Sequence, residues 1–199
     1  MHNTVKNLIY IEELIKSKVN LGKLTKIIAV SKTFPIKNVM PLIEHGHLHY
    51  GENKVQEALD KWSEIKLKVN DIKLHLIGRL QTNKVKFAIR IFDYIHSLDS
   101  EKLATKISEE EIKQKKKPKI FIQVNIGNEN QKSGINKNDL VDFYKFCKNL
   151  NLDIIGTMCI PPNDENPARY FAEMMKINQE LNFKELSMGM SGDYLEAIE

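Results

Sequence analysis

The sequence predicts an α/β protein whose parallel strands form a TIM-type (β/α) barrel. Short strand-like runs alternate with helix-like runs along the chain, which is typical of a parallel sheet. No Gly-x-Gly-x-x-Gly segment follows the first strand and no P-loop occurs, which disfavours a doubly wound nucleotide-binding sheet. Polar residues collect directly after many of the strands, and a barrel gathers such positions on one rim.

Seven strand-then-helix units follow an additional N-terminal helix, so we expect residues 1–199 to form a single domain. Apolar side chains at helical spacing, such as Val5, Leu8 and Ile15, predict the helices, and runs rich in β-branched residues predict the strands. The predicted helices cover residues 3–19, 36–45, 53–68, 83–90, 101–112, 139–149 and 167–181, and a last one begins at 191. The predicted strands cover residues 27–31, 48–51, 73–77, 94–96, 119–126, 153–158 and 184–188.

The charge pattern does not indicate a nucleic-acid-binding protein. The formal net charge is only +4, and the one dense basic run covers residues 113–117, directly before a proline. Only three of the 30 basic residues are arginines, which leaves little for bidentate readout of bases or phosphates. We therefore expect no nucleic-acid partner.

The sequence also favours a cytoplasmic protein that does not contact a membrane. No apolar window approaches membrane-spanning length, and the N-terminus lacks the apolar core of a signal peptide. Cys147 and Cys159 lie among apolar residues and are too few for a disulfide framework or a zinc site of paired cysteines. We expect two buried, inert thiols.

Lys32 is the most informative residue of the chain. It follows the apolar run 27–30 and precedes Pro35, which stops strand pairing. An amine at the mouth of a buried sheet is expected to be partly desolvated, which favours its neutral, nucleophilic form. The expected chemistry is a Schiff base with a carbonyl compound.

Two further rim segments have a structural and a functional interpretation. Asn53 is either the N-cap of a helix, with Gln56 completing a capping box, or a donor to a ligand oxygen beside Lys32. Thr82 is a candidate cap of the next helix, whereas Gln81 and Asn83 are expected to present uncharged polar groups at the rim.

The segment 187–193 predicts an anion-binding turn. Two glycines and two serines lie between a strand and a helix, where backbone N–H groups and hydroxyls can point at an anion. Ser191 is also the expected N-cap of that helix, and the two roles are compatible.

A metal site is not expected. His45, His47 and His49 alternate along one segment, but no carboxylate or cysteine stands near them to complete a set of ligands. His45 is better explained as the end of a helix, where an imidazolium is favourable.

Five segments, in this order, resemble the pyridoxal phosphate homeostasis protein family. The matching segments are Ala29-Val30-Ser31-Lys32-Thr33, Gly51-Glu52-Asn53-x-x-Gln56-Glu57, His75-x-Ile77-Gly78-x-Leu80-Gln81-x-Asn83-Lys84, Lys132-Ser133-Gly134 and Leu186-Ser187-Met188-Gly189-Met190-Ser191-x-Asp193. Any one of them is unspecific, but five in register over nearly the whole chain make the resemblance specific.

The resemblance implies a fold-type III barrel that holds pyridoxal 5′-phosphate (PLP) as a Schiff base on Lys32. It places Ser187, Gly189 and Ser191 at the phosphate. It places three further residues near the ring: Asn53, Asn83 and Met158. It also implies a carrier or reservoir without catalytic turnover, whose partners are PLP and apo forms of PLP-dependent enzymes; we expect a monomer.

One departure from the family pattern concerns the C-terminal end. The family continues with a Gly-Ser/Thr turn and a strand ending in Arg-Ile-Gly, whereas this sequence ends at Glu199. We therefore expect an incomplete barrel of seven β/α units without the eighth strand, open between its first and seventh strands and with fewer cofactor contacts.

Two enzymatic alternatives stay open. A PLP-dependent amino-acid racemase of the same fold type needs a second acid/base on the opposite face of the cofactor, usually from an additional β domain. A Schiff-base aldolase needs acidic partners near the lysine, and Glu52 is the only plausible one.

Overall fold

A computed structural model describes residues 1–18, 25–129 and 131–199. Val19, the predicted last residue of the first helix, lies outside the described residues. Within them, the eight α-helices are α1 Asn3–Lys18, α2 Ile36–Glu44, α3 Val55–Lys68, α4 Val85–Ile91, α5 Glu101–Gln114, α6 Leu140–Asn149, α7 Pro167–Glu180 and α8 Tyr194–Ile198. The seven strands are β1 Ala29–Val30, β2 His49–Glu52, β3 Lys73–Leu76, β4 Tyr94–Leu98, β5 Lys119–Gln123, β6 Ile154–Met158 and β7 Glu185–Ser187. Two short 3₁₀ helices, Thr82–Lys84 and Lys137–Asp139, precede α4 and α6.

The strands form one parallel sheet in the order β1-β2-β3-β4-β5-β6-β7. Each strand pairs with the next one in the chain, and helices connect them, as repeated βαβ units require. The predicted alternation of strands and helices is therefore confirmed, with boundaries that differ by a few residues. The carboxyl ends of all seven strands lie at the same edge of the sheet.

The sheet curls into an incomplete barrel. Neighbouring strands lie about 4.8 Å apart, so a flat sheet would separate β4 from β7 by roughly 14 Å. Instead, Nδ1 of His96 on β4 lies 2.7 Å from Oγ of Ser187 on β7. At the other end of the two edge strands, the Lys26 and Glu185 side chains approach to 3.9 Å. The predicted fold class, an incomplete (β/α) barrel of seven units, is confirmed.

The main apolar core lies between the outer face of the sheet and the helices. Tyr50 of β2 is fully buried, and its ring lies 4.7 Å from that of Trp62 in α3. The next residue, Gly51, faces the barrel interior, since strand side chains alternate between the two faces. A methyl group built on Gly51 would lie 3.0 Å from the Ile28 side chain and 3.1 Å from that of Ile77. Strand parity therefore tells which side chains enter the interior.

The apolar run 27–30 predicts a buried strand, and this prediction is wrong. β1 comprises only Ala29 and Val30, and Val30 is 45% exposed although it faces the interior. The reason is its position at the edge of the sheet, where β2 is its only paired neighbour among the described strands. The interior of the barrel is thus open to solvent beside β1.

The three predicted helix caps are also wrong. The N-cap of α3 is Lys54, one residue after the expected Asn53, and the Gln56 amide donates to Asp60 at 2.9 Å. Thr82 lies inside a 3₁₀ helix, and α4 has no side-chain cap. At α8 the N-cap is Asp193, whose Oδ1 accepts from the Met190 N–H at 2.5 Å. Asn53 and Ser191 are thus not used as caps.

No helix in the described part of the chain is long and apolar enough to span a lipid bilayer.

Gly156 is predicted to be essential for the pairing of β6 with β7. A methyl group at this position would lie 1.9 Å from the carbonyl oxygen of Glu185, so G156A must push the strands apart. We expect a loss of about 1–3 kcal/mol in the free energy of unfolding, measured by urea denaturation. Gly192, where a methyl group meets nothing within 4 Å, is the matched control. Equal unfolding midpoints for G156A and G192A would contradict this account.

Candidate functional site

Lys32 lies two residues after the end of β1, at the carboxyl rim of the barrel, and its side chain is exposed. The prediction of a partly desolvated amine is therefore wrong for this structure. The cause is the same open edge that exposes Val30. The amine is presented to solvent at the rim, where an incoming aldehyde can reach it.

A buried ionic cluster anchors the backbone on the N-terminal side of Lys32. Glu52 at the end of β2 is fully buried, and its Oε1 accepts hydrogen bonds from the Ser31 hydroxyl at 2.8 Å and the Trp62 indole N–H at 2.9 Å. The Lys61 ammonium lies 2.8 Å from the same oxygen and donates to the Ser31 carbonyl at 2.7 Å. Ser31, which directly precedes Lys32, is thus bound through its hydroxyl and its carbonyl.

The same cluster anchors the C-terminal side of Lys32. Thr33 has φ of 65°, a left-handed conformation that is costly for a β-branched residue. Its N–H donates to Oε1 of Glu57 at 2.6 Å, and Lys61 donates to that oxygen at 3.0 Å. Burial opposes ionisation of Glu57, but these hydrogen bonds outweigh it and lower the pKa of the carboxyl below its usual value. The strained turn is thus fixed by a charged acceptor.

Lys61 makes this arrangement electrostatically possible. Its side chain is only 8% exposed and lies between the carboxylates of Glu52 and Glu57. A buried carboxylate without a cation would carry a large desolvation cost, which the Lys61 ammonium offsets. Oε2 of Glu52 has no hydrogen-bond partner among the described residues, so the cluster is not fully satisfied. Lys61, Glu52 and Glu57 together hold the residues on both sides of Lys32.

Asn53 follows β2 on the same rim and is half-buried. Gly78, after β3, allows the two neighbouring loops to approach, because a methyl group there would lie 2.3 Å from the Asn53 carbonyl oxygen. Since the Asn53 side chain does not cap α3, its carboxamide is available at the rim.

Asn83 lies elsewhere. It is exposed in the 3₁₀ helix Thr82–Lys84 and lines a surface groove together with Lys102, Thr105 and Glu109 of α5. The structure thus brings Asn83 next to the helix layer, and its expected place near the cofactor ring stays a prediction.

Met158 and Ser187 are neighbours at the carboxyl ends of β6 and β7. They are direct partners in the sheet register, so both side chains point to the barrel interior. Met158 is buried and Ser187 is half-buried. After Ser187 the chain turns at Gly189, with φ of 84°, and a methyl group there would lie 2.9 Å from the Ala197 side chain of α8. Ser191 follows as an exposed residue of the turn.

Three histidines connect Ser187 to the opposite side of the barrel. His49 Nδ1 lies 3.0 Å from His75 Nε2, and His75 Nδ1 lies 2.9 Å from His96 Nε2. His96 Nδ1 lies 2.7 Å from Ser187 Oγ. We refer to His49, His75, His96 and Ser187 as the histidine chain. It runs from the first residue of β2 to the last residue of β7.

The inner histidines are neutral at physiological pH. Burial, with smaller contributions from His96, His49 and nearby lysines, lowers the pKa of His75 to about 2, and burial lowers that of His96 to about 3. The Tyr94 ring stacks on His75 at 4.2 Å, and the Phe121 ring stacks on His96 at 4.4 Å. Each inner ring is therefore enclosed by apolar surface and bonded through both nitrogens.

No group of three potential metal ligands occurs in the parts of the chain that the structure describes. Among the three histidines considered as metal ligands from the sequence, His49 belongs to the histidine chain, and His45 ends α2 as expected. His47 points its Nε2 to the backbone oxygen of His49 at 2.9 Å.

Comparison with known proteins assigns the family. The family described as "Alanine racemase, N-terminal domain" matches residues 12–199. A pyridoxal phosphate homeostasis protein of Aquifex aeolicus is 38% identical over 184 residues, which cover 87% of this chain and 80% of that protein. The Pasteurella multocida protein of the same name is 34% identical over 97% of this chain and 89% of its own. The chain belongs to the pyridoxal phosphate homeostasis protein family.

Solved structures agree with this family. PipY of Synechococcus elongatus, solved with PLP bound, superimposes with a TM-score of 0.83 at 31% identity, covering 94% of this chain and 91% of PipY. The same protein without PLP gives a TM-score of 0.80. An alanine racemase of Clostridium difficile has a TM-score of 0.70 at 15% identity, which shows the fold alone, and this chain covers 51% of it.

Sequence reasoning missed Lys61 and the histidine chain of this family member. Lys61 lies on a helix like many other lysines, and only the three-dimensional contacts distinguish it. Glu57 was part of a matched segment but received no role. The histidines carried a usable signal: in the register β2 to β4, the interior positions are those on the same face as Gly51, and His49, His75 and His96 occupy them.

We predict that Glu57 stabilises the strained turn at Thr33. E57A removes a charged acceptor for which two groups donate hydrogen bonds, so we expect a loss of roughly 2 kcal/mol in the free energy of unfolding and faster hydrogen exchange of the Thr33 amide. Because the folded-state pKa of Glu57 lies below the unfolded value near 4.5, this stability is present above pH 4.5 and disappears as the pH falls through the folded pKa.

The matched control for this prediction is E64A, which removes an exposed carboxylate of the same helix. Its unfolding midpoint and the exchange of Thr33 should match those of the native chain. If E57A and E64A behave alike, Glu57 does not hold the turn.

Proposed function

We propose that this protein binds PLP at the carboxyl rim of the barrel as a Schiff base on Lys32 and acts as a carrier or reservoir in PLP homeostasis. The proposal places it in the cytoplasm, with apo forms of PLP-dependent enzymes as recipients. Its family membership and the PLP bound to PipY support the ligand, and the rim geometry supports the attachment point.

The observation that carries the proposal is the way in which Lys32 is held. The buried cluster binds the residues on both sides of it, while the amine itself is exposed. Buried charges thus fix the backbone of a turn that presents this amine to solvent. Such an arrangement suits a residue that must meet a ligand in a fixed position.

The other half of the proposed site lies on β7. The Lys26–Glu185 contact shows that the edge strands β1 and β7 face each other across the opening. Ser187 ends β7, and the turn through Gly189 and Ser191 follows it. Hydroxyl and backbone N–H groups of this kind fit a phosphate, whereas the Lys32 amine fits an aldehyde, so the residues present suit both ends of PLP.

The chemistry at Lys32 is a condensation. The Nζ lone pair of the neutral amine would attack an aldehyde carbon as the C=O π electrons move to the oxygen. Solvent would relay two protons from the nitrogen to this oxygen, which would leave as water as the C=N bond forms. Bound PLP supplies an electrophilic carbonyl group and an electron-withdrawing ring. Since Lys32 is exposed, water can also reverse the reaction, and reversible capture is what a carrier requires.

Met158 and Asn53 are proposed as neighbours of the ring. Met158 is the sheet partner of Ser187 and offers an apolar surface. Asn53 offers a side-chain carboxamide that does not cap a helix. Asn83 is proposed on the family pattern alone, because its groove lies beside α5.

An amino-acid racemase is the alternative function, because solved alanine racemases share the fold. We favour the carrier, because the curated relatives that match most of this chain are pyridoxal phosphate homeostasis proteins, whereas the alanine racemases share only the fold. Loss of optical activity from any proteinogenic amino acid on incubation with the PLP-loaded protein, absent in K32A, would establish the racemase instead.

We predict that Lys32 is the residue that PLP modifies. After incubation with PLP and reduction with borohydride, mass spectrometry should find one pyridoxyl group, on the peptide that contains Lys32. K32A should lose the visible absorption of the bound cofactor and the reduced adduct, because no other amine is presented by the anchored turn.

Lys37, an exposed lysine at the start of α2, provides the matched control. K37A should be modified at Lys32 to the same extent as the native chain. An unchanged yield of adduct in K32A would refute the assignment of the Schiff base.

A further inference from the structure

We propose that the histidine chain couples anion binding at Ser187 to protonation of His49 at the far end of the barrel. The inference rests on the proposed function, because it takes Ser187 as the phosphate-binding hydroxyl. It assigns a role to three residues that the carrier chemistry does not use. His49, His75 and His96 are positioning residues that act on the ligand through Ser187.

When its three histidines are neutral, the histidine chain has only two arrangements in which all three of its hydrogen bonds are formed. A neutral imidazole carries one N–H and one lone pair, so each ring donates in one direction and accepts from the other. In the first arrangement every ring is protonated on Nε2, and the Ser187 hydroxyl donates to His96. In the second every ring is protonated on Nδ1, and His96 donates to Ser187.

An anion selects the second arrangement. When the Ser187 hydroxyl donates to His96, only oxygen lone pairs remain toward the rim, and these repel a phosphate. When His96 donates to Ser187, the Ser187 O–H no longer donates to His96 and can donate to the anion instead. Each of the three hydrogen bonds is 3.0 Å or shorter. If the bond between His96 and Ser187 reverses while His75 and His49 keep their tautomers, two nitrogen lone pairs face each other at the contact between His75 and His96. His75 and His49 must therefore change tautomer as well.

Protonation of His49 selects the same arrangement. An imidazolium donates from both nitrogens, so His49 must then donate from Nδ1 to His75, and every later bond follows that direction. In the first arrangement Nδ1 of His49 accepts a bond and cannot be protonated. A proton on Nε2 of His49 and an anion at Ser187 therefore favour one common state, and each should strengthen binding of the other.

His49 is placed to exchange protons, unlike His75 and His96. It is half-buried at the amino end of β2 and lines a surface cavity with Glu12 of α1. Burial, followed by the positive charge of Lys26, lowers the pKa of His49 below its usual 6.5, so the ring is mostly neutral at neutral pH. The ionisable groups that face it are Glu12, Lys26, His45, His47, Lys73, His75, Asp93 and Tyr94.

Sulfate is a suitable probe, since it is a dianion whose charge does not change between about pH 5 and 8. The test uses the full chain without PLP, with ¹⁵N-labelled imidazoles, because NMR shifts report the tautomer and the pKa of each histidine. On saturation with sulfate, His75 and His96 should carry their protons on Nδ1. The pKa of His49 should rise by about one unit, and sulfate should bind about tenfold more tightly below that pKa than above it.

The charge of sulfate alone would also raise the pKa of His49 through space, and two variants separate the causes. H75F keeps the stacking on Tyr94 and the His96–Ser187 contact but interrupts the chain, so the rise of the His49 pKa should largely disappear. H49F removes the titrating end, so the tenfold dependence of sulfate affinity on pH should be lost. The second variant keeps the test valid if H75F does not fold.

The results distinguish failure of the histidine coupling from failure of the phosphate site at Ser187. A rise of the His49 pKa that persists in H75F, or inner histidines that remain protonated on Nε2 with sulfate bound, would overturn the coupling while leaving the phosphate site intact. Failure of sulfate to bind at any pH, or binding unaffected by S187A, would overturn the phosphate site and with it the coupling. Trapping of PLP on Lys32 would stand independently of both results.

Discussion

The contact between His96 and Ser187 is the interaction on which the site depends. A flat sheet would separate β4 from β7 by about 14 Å. The contact instead joins an interior side chain of β4 directly to β7. The curl also brings β7 towards β1, and Lys32 and Ser187 lie at the carboxyl ends of these two strands. A seven-stranded sheet with these residues but without the curl would have no site.

Two polar systems lie beside the opening, and each has a buried centre: Glu52 and Lys61 in one, His75 and His96 in the other. The Glu52–Lys61–Glu57 cluster lies outside the strand layer and fixes the turn that carries Lys32. The histidine chain lies inside the barrel and ends on the hydroxyl of Ser187. Buried polar groups are costly unless bonded, so each system tolerates few alternative arrangements. The Lys32 amine is therefore exposed while the backbone on both sides of it is held in place.

The sequence was sufficient for the order of elements and the parallel barrel, because the period of apolar residues changes regularly between strand and helix. It also located Lys32, Asn53 and Ser187 at strand ends. It failed where the outcome depends on tertiary contacts: the caps at Asn53, Thr82 and Ser191, and the burial of β1. Lys61 could not be chosen among many helical lysines, whereas the histidines could have been found by following strand parity from Gly51.

The central claim is that one ligand bridges Lys32 on β1 and Ser187 on β7. A crystal structure of the protein soaked with PLP tests it most directly. The account predicts continuous density from Nζ of Lys32 to the cofactor, with the phosphate within hydrogen-bond distance of the Ser187 hydroxyl and of the turn at Gly189. Attachment to another lysine, or a phosphate that lies away from β7, would contradict it.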